Sequence, residues 1–139
     1  MDANLPTPTD RPSFTAALAD VLADHATMRR LASNATRYPE AISIDAMMSI
    51  ADIMATHELF EARLFATPFL TRTPESVLST TTQVRMRCRD FLTGNHHLSG
   101  TNAAAALFVE ALLAHIAAEE AWLAREQQYR TEHHPWADA

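Results

Sequence analysis

Glycine is nearly absent from this 139-residue chain: only Gly94 and Gly100 occur, both within the stretch TGNHHLSG. Glycine-rich loops that cradle phosphates are therefore excluded. Set beside abundant Ala, Leu and Met, the scarcity points to an all-α fold. Cys88 is the single cysteine, so no intramolecular disulfide can form, in keeping with a reduced compartment. Positive charge is short as well. The net charge is −6, which argues against nucleic acid as a partner, because such binding relies on neutralising phosphates. The opening MDANLPTPTDRPSF lacks the basic and apolar regions of a signal peptide. No strongly apolar run approaches the length of a membrane span. A cytoplasmic protein without a membrane partner is the expectation.

What is present is a 47% apolar composition, enough for one ordered domain with a full core. Proline-rich residues 1–11 read as a disordered N-terminal arm. A first helix is predicted from Pro12 to Arg37, its stripe being Phe14, Leu18, Val21, Leu22, Met28, Leu31 and Ala32. Tyr38-Pro39 breaks the chain. A second helix follows from Ser43 to Ala66, with Met47, Ile50, Met54 and Leu64 inward. Thr73 caps a third helix that opens at Pro74 and runs to Leu92. Val77, Thr81, Val84, Cys88 and Phe91 form its inner face, while Arg85, Arg87 and Arg89 mark its wet side. The fourth spans Asn102 to Arg130 around Phe108, Leu112, Trp122 and Leu123, and residues 131–139 form a flexible tail. Four amphipathic helices with short connections predict an antiparallel up-down-up-down four-helix bundle over residues 12–130.

Several polar residues fall in phase with these apolar stripes. They are His25 on the first helix, His57 and Glu61 on the second, and His115 and Glu119 on the fourth, with Glu58 at the shoulder of the second. His57-x-x-x-Glu61 and His115-x-x-x-Glu119 each place two side chains on one helical face, one turn apart. A buried carboxylate costs several kcal/mol unless a positive group meets it. The predicted inward positions supply no Lys or Arg. Two such pairs facing each other can surround a metal with imidazole nitrogens and carboxylate oxygens, a mixture suited to iron, manganese or zinc. Singly, each feature reads more simply: a lone His25 as a hydrogen-bonded core residue, a lone His-x-x-x-Glu as a helix-surface contact. The coincidence of all five on three helices shifts the weight to a metal. A zinc-protease His-Glu-x-x-His is excluded, because Glu61 stands where its second histidine belongs, and the Glu-x-x-His of ferritin-like bundles is absent.

Through ADHATMRRL around His25, THELFEARLF around His57 and Glu61, and AHIAAEEAWL around His115 and Glu119, the chain resembles the hemerythrin-like, or HHE cation-binding, family. The resemblance covers roughly residues 12–130. It implies a four-helix bundle holding a non-haem di-iron centre, in proteins that bind dioxygen or nitric oxide, sense oxygen, iron or redox state, or store iron. By position it makes His25, His57 and His115 the imidazole ligands and Glu61 and Glu119 the bridging carboxylates. The third helix departs from the pattern: TPESVLSTTTQV contains no histidine, and Ser76 and Thr80 fall where an imidazole pair is expected. Glu58 or Glu75 could compensate, whereas His96 and His97 lie beyond the far end of that helix.

The leading expectation is a protein binding one or two non-haem irons, or other divalent metals, with dioxygen or another small ligand as partner. A metal-free helical interaction module in a regulatory complex is the alternative, and a homodimer or a regulatory protein partner stays open. An enzyme ranks last, because no substrate pocket or separate acid–base pair is legible.

Overall fold

The computed structural model describes residues 13–94 and 100–136. The expected N-terminal arm, His96, His97 and the end of the tail lie outside the described residues. The architecture is all-α: α1 Phe14–Ala35, α2 Ile44–Phe65, α3 Glu75–Thr93 and α4 Thr101–His133. Ser13 and Ser43 cap α1 and α2 through their hydroxyls, which accept from the amides of Ala16 and Ala46. On α3 the expected cap moves by one residue. Pro74, extended at φ −70°, takes the cap position, so Thr73 does not. The two glycines bracket the α3–α4 loop at φ 76° and 83°, a left-handed backbone region that other residues enter at a cost. α4 runs three residues past the expected boundary at Arg130, to His133.

The four helices pack as a bundle around two apolar clusters. One gathers Phe14, Leu18, Val21, Leu64, Val77, Trp122 and Leu123. The other gathers Met28, Ala32, Met47, Ile50, Val84, Phe91, Phe108 and Leu112. Each helix carries the chain from one cluster to the other. α1 starts beside the end of α2, and α3 starts beside the late turns of α4. Leu22, expected inward, is exposed, and Cys88 is only half-buried. By length and composition α4 could cross a membrane, which the apolar runs in the sequence did not suggest. In the fold it is the core helix, with Phe108, Leu112, Ile116 and Leu123 buried.

Two features tie the connections down. Asn102 accepts from the Ile42 amide (2.7 Å) and donates to the Pro39 carbonyl (2.9 Å), fixing the α1–α2 loop to the start of α4. At the other end the α2–α3 loop is strapped to late α4. Thr71 and the Trp122 indole both donate to the buried Glu126 carboxylate, and Arg130 donates to the Pro68 carbonyl. Arg130 also lies 4.3 Å over the Phe14 ring. Buried Glu126 and Arg130 were not anticipated, although both continue the α4 stripe beyond Glu119 at helical spacing. In that loop Phe69 adopts φ 66° and stacks on His134 at 4.3 Å.

Candidate metal centre

A polar layer separates the two apolar clusters. His25 sits one turn from Val21 on one side and from Met28 on the other, so its ring lies at the junction and is fully buried. His57 and Glu61 occupy the corresponding level of α2, and His115 and Glu119 that of α4. The His25 and His57 rings lie side by side, centroids 4.9 Å apart. Helical periodicity alone sets these positions, since each residue replaces an apolar one in its stripe.

The donor atoms converge. Glu119 Oε1 lies 3.2 Å from His25 Nε2 and 4.0 Å from His57 Nε2, while its Oε2 lies 3.3 Å from His115 Nε2. Glu61 spans the same gap, Oε1 being 3.8 Å from His57 Nε2 and Oε2 3.7 Å from His115 Nε2. Two donor groups result, His25–His57–Glu119 and Glu61–His115–Glu119, and they share Glu119. Several of these close approaches are not hydrogen bonds. His25 Nε2, His57 Nε2 and both Glu119 oxygens are buried without an aligned hydrogen-bond partner. Orphaned polar atoms deep in a protein are rare and costly. Here the donor atoms of each group lie within 4.8 Å of one another, a spacing that one ion could bridge. The buried histidine–glutamate cluster could hold a metal.

Behind the donors, each imidazole is held by its other nitrogen. His25 Nδ1 meets Glu120 Oε2 at 2.8 Å, and Glu120 is itself paired with Arg29 at 2.9 Å. His57 Nδ1 meets Asp24 Oδ2 at 3.0 Å. His115 Nδ1 meets the Thr80 hydroxyl at 3.1 Å, and that hydroxyl lies 3.0 Å from the Val77 carbonyl. Carboxylates accept only, so Asp24 and Glu120 place the proton on Nδ1 of their histidines. Thr80, its own proton given to Val77, does the same for His115. In each ring's neutral form Nε2 is then the lone-pair nitrogen, the tautomer a metal ligand needs.

Electrostatics show how the layer neutralises itself without an ion. Burial pushes the Glu61 carboxyl up to about 7, and the neighbouring Glu119 adds to the rise. For Glu119 burial raises the carboxyl, but the close imidazoles of His115 and His25 outweigh it and hold the group well below the usual carboxylate range. His115 is raised to about 9, because Glu119 and Glu61 outweigh the opposing effect of burial. His57 is lowered, chiefly by burial. Below about pH 7, one carboxylate, one imidazolium and one protonated carboxyl thus share the layer, protons standing where a cation would.

Of the expected site residues, His25, His57, Glu61, His115 and Glu119 are brought together. Glu58 is not. It is half exposed and bound to Arg85 Nε at 2.9 Å, because it lies to one side of the α2 stripe. Glu75 is exposed at the first turn of α3 and belongs to neither donor group. Sequence reasoning missed Asp24 and Glu120, although each is the chain neighbour of a donor residue. A side chain flanking a stripe reaches across to the next helix, and that reach is set by packing. Family models, curated proteins and solved structures were all compared with the chain, and none matches it.

Proposed function

We propose that this protein binds non-haem iron at the buried layer and presents it to a small ligand, as an oxygen, iron or redox sensor or a carrier of a diatomic molecule. The observation that carries the reading is the pair of carboxylates, each reaching between imidazole groups, with every imidazole Nε2 directed at them. One position would take His25, His57 and an oxygen from each glutamate. The other would take His115 and the remaining oxygens. Mixed nitrogen and oxygen donors of this kind suit iron, and bridging carboxylates suit a pair of ions. The hemerythrin-like resemblance belongs here, as support from the same residues.

The two positions are unequal. α3 contributes no ligand, only the Thr80 and Thr81 hydroxyls behind His115, at 3.1 and 3.5 Å from its Nδ1. The second position therefore has a single imidazole and more coordination sites left to water. It should fill after the first and empty before it. Bound iron supplies a Lewis-acidic, redox-active centre with open positions.

The alternative, a metal-free regulatory bundle, draws on the proton arrangement by which the layer neutralises itself. The deciding experiment measures bound metal by elemental mass spectrometry after anaerobic ferrous loading, in the wild-type chain, His57→Ala and His115→Ala. About two irons per chain, falling to about one in His115→Ala, is the expected result. No metal in the loaded wild-type chain would overturn the reading and favour the regulatory bundle.

A further inference from the structure

We propose that the Glu58–Arg85 ion pair is the gate of an entry route, along the α2–α3 seam, by which small uncharged molecules reach the donor layer; this rests on the metal-centre reading above. A groove of about 300 Å³ runs along the seam, its walls formed by Met54, Ala55, Cys88 and Leu92 among others. Beneath it a cavity of about 20 Å³ reaches His57, Glu61 and His115, with Met28, Val84 and Leu112 as apolar wall. Three residues, Met54, Glu58 and Arg85, line both. Those three residues stand between the surface groove and the donor layer.

That partition is easily moved. Arg85 Nε donates to Glu58 Oε1 at 2.9 Å, and both side chains are more than half exposed. Ion pairs in water are weak, and exposed side chains change rotamer rapidly. Passage selects by charge and size. An ion would shed its hydration against apolar walls, and the inner cavity has room for about one water-sized molecule.

A competing groove of about 200 Å³ between α3 and α4 includes Thr80, Leu107 and Ala114 but none of the donor residues. It ends at the hydroxyl behind His115, on the ring edge that faces away from the donors. It provides the control.

The test follows nitric oxide, a neutral diatomic probe, binding to the ferrous-loaded full chain by stopped-flow absorption. Arg85→Ala should raise association and dissociation rates together by about two- to five-fold, the range an exposed ion pair can hold closed. Equilibrium affinity and metal content should stay unchanged. Ala55→Trp, which fills the groove, should slow both rates, and Ala114→Trp in the control groove should change neither. In the metal-free chain, deuterium exchange at the ring C2–H of His57 and His115 in heavy water, mapped by mass spectrometry, should speed up in Arg85→Ala. Rates unchanged in Arg85→Ala and Ala55→Trp, with metal content intact, would overturn the gate. If the chain binds no iron, the metal reading fails, and the histidine C2–H exchange rates alone decide the gate: unchanged, they overturn it.

Discussion

Glu119 and Glu126 lie two turns apart on the same face of α4, both buried, and their surroundings differ in kind. Around Glu126 the partners point at the carboxylate: Trp122 Nε1 donates at 3.2 Å, and Thr71 donates from the strapped loop. Around Glu119 the nearest nitrogens lie at 3.2–4.0 Å without aligned hydrogen bonds. Both carboxylates are almost wholly removed from solvent, which costs free energy unless partners meet them. At Glu126 the protein meets that cost directly, and the result is a fixed loop. At Glu119 it is met by shared protons, and a cation could take their place. Satisfaction marks a structural polar cluster, whereas convergence without satisfaction marks a binding one.

The sharpest way to break this comparison is to neutralise each glutamate in turn. Glu119→Gln removes the carboxylate common to both donor groups. Bound iron should fall from about two per chain to background, read by elemental mass spectrometry. Glu126→Ala should leave iron content unchanged while lowering unfolding free energy by about 1–3 kcal/mol, because Trp122 and Thr71 lose their acceptor. If Glu126→Ala also empties the centre, the two clusters are one network and the distinction fails.

Protons sharpen it next. Glu61, at about 7, and His115, at about 9, hold protons in the metal-free chain that an ion must displace. Both values are raised above the unfolded reference. Their contribution to metal-free stability is thus complete below about pH 4.5 for Glu61 and below about 6.5 for His115. It is lost as pH rises through about 7 and about 9 respectively. Metal binding gains over the same interval. The rise in melting temperature on ferrous loading should therefore grow from pH 6 to 9, with apparent affinity climbing about tenfold per pH unit where one proton is released. A loading shift that is flat over that interval would show that no proton leaves the layer. Histidine ligation would then lose its support.

Much of this was legible beforehand. The four helices follow from stripe periodicity and proline breaks, and the five converging residues follow from phase with those stripes. Glu58, read at the shoulder of the α2 stripe, does stand there, but it pairs outward and joins neither donor group. Its partner, Arg85, comes from α3. Glu126 and Arg130 carried the right phase, yet their partners lie on a loop whose path no local pattern sets. Asp24 and Glu120 flank ligands, and their role appears only once the facing helix is in place.

The residues behind the imidazoles give a smaller effect. Asp24→Ala releases the His57 ring from its Nδ1 acceptor and should weaken iron binding about 10–100-fold, by competition with a chelator. The matching change at the other cluster, Thr71→Val, should cost about 1 kcal/mol in stability and leave the affinity alone. A loss of affinity in Thr71→Val would show that the strapped loop is transmitted to the layer.

The smallest effect belongs to Thr80, and it tests whether α3 contributes to the centre at all. Its hydroxyl donates to Val77 and accepts from His115 Nδ1, a neutral hydrogen bond weaker than the carboxylate contacts of His25 and His57. Thr80→Val keeps the shape and removes the nearer acceptor, leaving the Thr81 hydroxyl at 3.5 Å, so the proton on His115 Nδ1 is held less firmly. Only the second metal position depends on that ring. Affinity for the second iron should drop by less than about tenfold, with the first unchanged, and Thr80→Ser should restore it. Equal weakening of both irons would mean that Thr80 acts through helix packing, and unchanged binding would leave α3 as wall alone.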